Sequence, residues 1–272
     1  MGRLEGKVAI VTGAGSGDTG LGSGIGQEIA TTFAREGAAV VVVDRDGQRA
    51  ENTVRGLDGL AGRSVACIGD VTSAADCARM VEVATSTFGG LDILVNNAAI
   101  ARHAPLLETS EELYDETLAI NLKGTFLACK HAVPALVERG GGSIVNIGSI
   151  VGIRDAGTGE TAYAASKAGQ LGITIDLAGA YGHDNVRVNA VLPGLIASPM
   201  MQQSSSGRNL DEIRSKLNLL GRFGQPADVA GAVLFLCSAE GSYLTGVVLP
   251  VDGGATVATP ASTFRRRSSA DA

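Results

Sequence analysis

The sequence has few of the residues from which protein metal sites and nucleophilic triads are built. Its 272 residues include only three histidines, and these lie far apart in the chain. The four cysteines are scattered, and no two of them have Cys-x-x-Cys spacing. These residues are His103, His131, His183, Cys67, Cys77, Cys129 and Cys237. We therefore expect no metal site and no Ser/His/Asp triad, and we interpret the cysteines as small buried residues of a protein in a reducing compartment.

Long apolar runs and an excess of positive charge are also missing. No stretch reaches the roughly 18 uninterrupted apolar residues that suggest a membrane-spanning helix, and the N-terminus has no apolar signal region. The net charge of −6 argues against nucleic acid as a partner. The one basic cluster, Arg265–Arg267, lies in a Ser/Thr/Ala-rich tail that we expect to be solvated. We thus expect a cytoplasmic protein with no membrane and no nucleic-acid partner.

Glycine and short apolar runs are abundant. The 38 glycines mark frequent turns, and the hydrophobic fraction of 45% allows a sizeable core. Seven apolar runs alternate with segments long enough for helices. The runs are 8–11, 39–43, 64–68, 93–95, 143–147, 186–192 and 247–251, and the helical segments are 24–36, 46–58, 73–88, 109–139, 160–181 and 226–239. This alternation predicts an α/β fold: a single doubly wound (Rossmann-type) domain with a seven-stranded parallel sheet and helices on both faces.

We place this one domain at residues 1–254 and a C-terminal extension of open purpose at 255–272. The segment at about 195–220 is polar and serine-rich. So long an excursion in a compact domain is usually functional, and we interpret it as a lid over the site.

A glycine-rich loop, Thr12–Gly26, separates the first strand from the first helix. Backbone N–H groups at a helix N-terminus bind anions, and glycine lets the backbone come close to a phosphate. The loop therefore predicts a dinucleotide site. The contacts that we expect from it are Gly13, Ser16, Ser23, Gly24 and Ile25.

Ligands of such sheets bind beyond the carboxyl ends of the strands. The second strand ends in Asp44, 18 residues after Gly26, and a carboxylate there accepts hydrogen bonds from ribose hydroxyls and repels a 2′-phosphate. We therefore expect NAD rather than NADP, a preference that the adjacent Arg45 could soften. Asp70 and Val71 end the third strand, where the adenine is expected. The fourth strand ends in amides that can tie strands together and in alanines that leave room for the cofactor, namely Asn96, Asn97, Ala98 and Ala99.

Tyr163 and Lys167 carry the expected chemistry. Four residues apart on a helix, the phenol and the ammonium lie on one face. A nearby cation would lower the tyrosine pKa from about 10 and make the phenol a general acid/base for an alcohol oxygen. Ser149, at the end of the fifth strand, supplies a hydroxyl for the same oxygen.

With these pieces in order, about residues 5–254 resemble the short-chain dehydrogenase/reductase family. The matching motifs are Thr12-Gly13, Gly24-Ile25-Gly26, Asp70-Val71, Asn96-Asn97-Ala98, Asn121, Ser149, Tyr163, Lys167, Pro193-Gly194 and Asp252-Gly253-Gly254. The resemblance implies a Ser149–Tyr163–Lys167 centre in which Lys167 holds the nicotinamide ribose. It also implies that Asn121 positions a water in a proton relay. Contacts with the nicotinamide carboxamide are implied for Pro193, Gly194, Ile196 and Ser198, and the chain is expected to form a homotetramer.

The implied activity is NAD(H)-dependent interconversion of a secondary alcohol and a ketone. One alternative is reduction of an enoyl thioester, which a lengthened glycine loop suggests but which the short Tyr–Lys spacing disfavours. Another is a catalytically silent NAD-binding regulatory protein. About seven extra residues lengthen the glycine loop, and we expect Asp18 to turn away from the diphosphate. The lid, the 150–161 loop and His103 are expected to shape the pocket for a small-molecule substrate that the sequence does not identify.

Overall fold

A computed structural model describes residues 2–17, 23–102, 104–155, 159–199, 201 and 218–258. Seven parallel strands form one sheet in the order β3-β2-β1-β4-β5-β6-β7. The strands are β1 (Val8–Thr12), β2 (Ala39–Asp44), β3 (Ser64–Ile68), β4 (Ile93–Asn96), β5 (Gly142–Ile147), β6 (Val186–Pro193) and β7 (Val248–Val251). All seven predicted strands are confirmed, with bounds that differ by one residue at several ends.

Seven α-helices connect these strands within the described residues. They are α1 (Ile25–Arg35), α2 (Gly47–Leu57), α3 (Ala74–Phe88), α4 (Glu111–Leu118), α5 (Gly124–Glu138), α6 (Thr161–Tyr181) and α7 (Pro226–Cys237). Helices α1, α2 and α7 supply one apolar cluster with one face of the sheet, and α3, α5 and α6 supply a second cluster with the other face. The predicted doubly wound architecture is therefore confirmed.

The strands are apolar at nearly every position because both faces of the sheet are covered. All five residues of β1 and the first five of β2 are buried. The four cysteines are free and buried, as expected from their scattered positions. No group of His, Cys, Asp and Glu in the described part of the chain could hold a metal ion. No helix among those residues is both long and apolar enough to cross a membrane.

The helix predicted at 109–139 is not continuous. Helix α4 is followed by a π-helical turn, Ala119–Lys123, and then by α5. The N–H of Gly124 donates to the carbonyl of Ala119, one residue further back than in an α-helix. Asn121 lies within this turn and is fully buried. The extra residue rotates Asn121 relative to a regular helix, which brings it against the chain after β4 and against α6.

Several predictions fall outside the described residues. These are the orientation of Asp18, the place of His103, most of the lid and of the C-terminal extension, and part of the 150–161 loop.

Candidate active site

The crevice for a ligand opens where the strand order reverses, between β1 and β4. Thr12 connects the two strands at this point: its hydroxyl accepts hydrogen bonds from the N–H groups of Asn97 (3.0 Å) and Ala98 (3.1 Å) and donates to Val95 O (3.3 Å). The Asn97 amide donates to the carbonyls of Thr12 and Gly13, both at 2.9 Å. Asn97 therefore fixes the start of the glycine-rich loop, and its expected role in tying neighbouring strands is confirmed.

Gly13 lies where two segments of backbone approach each other closely. Its φ of +62° is in the left-handed region, and a Cβ there would be 2.7 Å from the Cα of Ala98. Only glycine fits this position. The small residues Ala98 and Ala99 follow β4 at the same edge of the sheet, so the crevice stays open for a flat group.

The N-terminus of α1 faces the same edge. Gly24 is its N-cap residue, no side chain caps the first turn, and Ile25 begins the helix. The first N–H groups of α1 are suited to a diphosphate. Ser23 Oγ donates to Glu28 Oε2 at 3.2 Å, and Ser16 N–H donates to Arg49 O at 3.0 Å. Gly13, Gly24 and Ile25 could thus form a cradle for a dinucleotide, whereas the described polar contacts of Ser16 and Ser23 are internal.

The Asp44 carboxylate lies at the carboxyl end of β2 beside the glycine-rich loop. Its Oδ2 accepts from Gly15 N–H at 3.0 Å and its Oδ1 accepts from Asp46 N–H at 3.1 Å. A Cβ at Gly15 would lie 2.6 Å from Oδ2, so the loop packs directly on the carboxylate. Arg45 is exposed. The Asp44 carboxylate therefore lies beside the place where an adenosine ribose is expected.

Asp70 and Val71 lie next in the crevice, beyond β3. Asp70 Oδ1 accepts from both the N–H and the hydroxyl of Thr72, each at 2.8 Å. Val71 packs against the start of α5, where a Cβ on Gly124 would be 2.8 Å from Val71 Cγ2. The pair gives this end of the crevice a fixed turn and an apolar wall, consistent with the predicted adenine contact.

The segment that follows β6 lies at the same carboxyl edge of the sheet, beside the end of β5. Gly194 N–H donates to Val251 O at 3.0 Å, and Ile196 forms an isolated parallel bridge with Gly224. Ile196 and Ser198 are buried. Pro193 and Gly194 are therefore held at the carboxyl edge, where the resemblance implies the nicotinamide.

Ser149, Tyr163 and Lys167 meet beyond the end of β5. Ser149 precedes a 3₁₀ turn, Ile150–Gly152, and its hydroxyl accepts from Val151 N–H at 3.2 Å and lies near the Tyr163 hydroxyl. Tyr163 and Lys167 lie on successive turns of α6, with Lys167 Nζ 5.6 Å from the centroid of the Tyr163 ring. The three side chains predicted as catalytic are thus brought together by one strand end and one helix face.

The protonation of this pair differs from the sequence-based expectation. Burial and the nearby Glu160 carboxylate raise the pKa of Tyr163 to about 12, and the hydrogen bond with Ser149 acts in the opposite direction. Burial lowers the pKa of Lys167 to about 7. The raised tyrosine pKa is opposite to the expectation that a nearby cation lowers it. The Lys167 ammonium is buried and donates to Ile147 O (2.8 Å) and Gln170 Oε1 (3.1 Å).

Asn121 is connected to Lys167 through a neighbouring side chain. Its side chain pairs with the backbone of Ile100, with Oδ1 accepting from N–H and Nδ2 donating to the carbonyl, both at 2.9 Å, and Nδ2 also donates to Ser166 Oγ at 3.1 Å. Its backbone carbonyl accepts from Gln170 Nε2 at 2.9 Å and from Thr125 Oγ1 at 2.9 Å. A side chain, Gln170, therefore lies between Asn121 and Lys167.

Sequence reasoning missed Gln170 and Ser166. Gln170 is three residues after Lys167 and seven after Tyr163, which places all three on one face of α6. A long amide on the face that carries the reactive pair was the signal available in the sequence.

Comparisons with known proteins agree with this geometry. The sequence model of the family described as "Enoyl-(Acyl carrier protein) reductase" matches residues 20–256. The chain is 40% identical over 255 residues to the 3-oxoacyl-(acyl-carrier-protein) reductase of Thermotoga maritima, which covers 94% of this chain and 100% of that protein. A solved structure described as a short-chain dehydrogenase/reductase from Burkholderia xenovorans has a TM-score of 0.89 and 39% identity, over 95% of this chain and 100% of that one.

A second solved structure is a 7α-hydroxysteroid dehydrogenase complexed with NADH and 7-oxo glycochenodeoxycholic acid. It has a TM-score of 0.86 and 35% identity, and it covers 93% of this chain and 95% of its own. These matches span nearly the whole chain and include the strand ends and helix face described above. The chain therefore belongs to the short-chain dehydrogenase/reductase family and is an oxidoreductase.

Proposed function

We propose that the protein interconverts a secondary alcohol and a ketone with NAD(H) as hydride carrier. The observation that carries this proposal is that Ser149, Tyr163 and Lys167 lie together beyond the end of β5. The 3-oxoacyl reductase and the hydroxysteroid dehydrogenase to which the chain is similar are named for such carbonyl or hydroxyl groups. When bound, the nicotinamide would supply or accept the hydride.

The side chains of this chain would handle the substrate oxygen and its proton. With a pKa of about 12, Tyr163 keeps its proton at neutral pH, which is the form needed to protonate the oxygen of a ketone as it is reduced. The Ser149 hydroxyl, which lies near the phenol, would hold the same oxygen. The Lys167 ammonium, when protonated, would stabilise the phenolate that Tyr163 becomes after it has donated its proton.

The cofactor preference rests on Asp44. A 2′-phosphate beside this carboxylate would place two negative charges together in a partly buried site, at a cost in both repulsion and desolvation. Ribose hydroxyls would instead donate to the carboxylate. We therefore infer a preference for NAD(H) over NADP(H).

The test replaces Tyr163 with phenylalanine. We expect Tyr163→Phe to lower kcat for ketone reduction by about 10²–10⁴-fold, the usual contribution of a general acid/base, because the ring stays and the transferable proton is lost. The substrates are an acetoacetyl thioester, a 7-oxo steroid and small aliphatic ketones, followed by NADH absorbance. NADH affinity, measured by fluorescence titration, should stay within about twofold, since no cofactor-cradle residue changes. Turnover by Tyr163→Phe close to that of the wild type would refute the assigned role.

The same panel of substrates also tests the two alternative functions. The name of the matching family favours enoyl-thioester reduction, so a crotonyl thioester is included. The three residues between Tyr163 and Lys167 argue for the carbonyl reaction, because the resemblance associates enoyl reductases with a longer spacing. NADH binding without turnover of any substrate would identify a silent binding protein.

We also propose that the protein assembles as a homotetramer, as its resemblance implies. Exposed apolar side chains on α5 and α6, Phe126 and Ile175, support this proposal because each would be covered by a neighbouring subunit.

A further inference from the structure

Lys167 lies at one end of a buried chain of side-chain hydrogen bonds that leads away from the crevice. Only 2% of its surface is exposed, and its ammonium donates to Ile147 O and to Gln170 Oε1. The opposite end of the Gln170 amide donates to Asn121 O at 2.9 Å and to Thr125 Oγ1 at 2.7 Å. Gln170 is itself 1% exposed, so water does not compete with these contacts from outside.

The chemistry of both partners fixes the orientation of this amide. An ammonium can only donate and a carbonyl can only accept, so the Gln170 oxygen faces Lys167 and its nitrogen faces Asn121. The reversed amide would place N–H groups against the ammonium and oxygen against the carbonyl. The Gln170 backbone is held as well, since Thr174 Oγ1 donates to its carbonyl at 2.8 Å.

We propose that Gln170 is a positioning residue of the reaction, one that holds the Lys167 ammonium and connects it to Asn121 in place of a water. This proposal rests on the function proposed above. The resemblance implies a water bound to Asn121, but the Asn121 carbonyl already accepts from two side chains, and its amide makes three further hydrogen bonds. An ammonium has three N–H donors. Two are used inside the protein, and the third remains for the crevice.

The pKa of Lys167 should therefore depend on the side chain at position 170. A buried ammonium loses water, and each acceptor that replaces water favours the charged form. Removal of the Gln170 oxygen should therefore lower the pKa of Lys167 further below its usual range. The titratable group that faces Lys167 on its own helix is Tyr163, which Glu160 in turn influences. Burial is the cause of the lysine shift, and no charged group on the described residues of α4, α5, β5 or β6 contributes to it.

The experiment compares Gln170→Leu, Gln170→Glu and Thr117→Val with the wild type. The first measurement is the pH dependence of kcat/KM for ketone reduction, because activity should fall at high pH as Lys167 loses its proton. We expect Gln170→Leu to lower the pH at which kcat/KM falls by about one unit. We expect Gln170→Glu to raise that pH, because its carboxylate favours the ammonium. Thr117→Val is the matched control: it removes a buried hydroxyl whose hydrogen bond, to Leu113 O at 2.7 Å, stays within α4, and its midpoint should equal that of the wild type.

A second measurement does not depend on turnover. The unfolded chain keeps the Lys167 proton up to about pH 10.5, whereas the folded protein releases it near pH 7, so the free energy of unfolding should rise with pH between these values. Gln170→Leu should start this rise at lower pH, and Lys167→Met should abolish it. Urea unfolding from pH 6 to 10 provides the profiles.

Unchanged kinetic midpoints and unchanged stability profiles in both Gln170 variants, with only a lower Tm, would overturn the positioning role and leave Gln170 as a packing residue. Absence of turnover by the wild type with either nicotinamide cofactor would instead overturn the proposed function. In that case the stability profiles alone decide whether Gln170 supports the ammonium.

Discussion

At the residue scale, the feature that best separates this molecule from an inert α/β domain is the burial of Lys167. It is one of the largest fully buried side chains of the described chain, in a set otherwise composed of Phe, Leu, Ile and Met. Burial of an ionisable amine costs stability at any pH where the unfolded chain keeps the proton. Such a residue, in a crevice and beside a tyrosine with a raised pKa, is typical of a reaction centre.

Cofactor choice is also decided by single side chains. We expect Asp44→Ser to raise the KM for NADH and lower that for NADPH, so that the ratio of kcat/KM values shifts toward NADPH by about tenfold or more, because about 1.4 kcal/mol of relieved repulsion is enough. Steady-state kinetics with both cofactors measures the shift. The control is Asp46→Ser, two residues further along, which removes an equal charge but keeps a side-chain oxygen to cap α2. An identical shift in both variants would show a general charge effect and contradict the contact with Asp44.

The residues that could be predicted from the sequence are those whose role follows from position along the chain. Asp44 ends a strand, Ser149 ends another, and the Tyr163–Lys167 spacing is a local helical relation. The position of Gln170 on the same helix face follows from its spacing, but its role could not be predicted, because it depends on the Asn121 carbonyl in the π-helical turn. The tyrosine pKa also differed from the expectation, because burial raises it to about 12.

At the element scale, a line of buried polar side chains connects the centre of the sheet to α6. Asn96 Nδ2 donates to Asn146 Oδ1 at 2.8 Å, and Asn146 Nδ2 donates to Thr174 Oγ1 at 2.9 Å. Asn96 is on β4 and Asn146 is the residue paired with it on β5. Because Thr174 is on the same helix face as Tyr163, Lys167 and Gln170, these bonds fix how α6 sits on the sheet and therefore where the reactive pair lies.

We expect Asn146→Ala to lower the free energy of unfolding by about 2–4 kcal/mol, since two buried hydrogen bonds are lost and a donor on Asn96 loses its oxygen partner. Urea unfolding measures the change. The control is Ser143→Ala on the same strand, whose hydroxyl makes one long hydrogen bond, 3.4 Å to Leu236 O, and which should cost less than about 1 kcal/mol. Equal losses in the two variants would mean that the polar line does not contribute beyond ordinary packing.

The limit of sequence reasoning at this scale is the π-helical turn at Ala119–Lys123. The apolar pattern of 109–139 is compatible with one long helix, and nothing in local periodicity indicates an inserted residue. The turn is stabilised from outside: Asn121 pairs with Ile100, and Gln170 donates to the Asn121 carbonyl. Tertiary contacts therefore decide the backbone here.

At the scale of the whole molecule, the fold followed from the sequence because parallel sheets covered on both faces have a simple signature. Short, wholly apolar strands alternate with longer helical segments, and the glycine loop marks the first strand-to-helix connection. The chain order then reverses between β1 and β4, which places Thr12 and Asn97 side by side and opens the crevice. Substrate identity has no comparable signature, because loops vary without changing the scaffold.

The homotetramer that we propose would be held together by contacts on the outer faces of α5 and α6. Phe126 is 51% exposed and Ile175 60% exposed, although both residues are large and apolar. If these helices pack against a neighbouring subunit, a buried unpaired carboxylate would be costly. We expect Ile175→Glu to convert the proposed tetramer into smaller species, as measured by light scattering coupled to gel filtration. Leu107→Glu, at a 98% exposed position outside α5 and α6, should leave the mass unchanged. A wild-type monomer, or an Ile175→Glu protein of unchanged mass, would contradict this interface and require another explanation for the exposed apolar side chains.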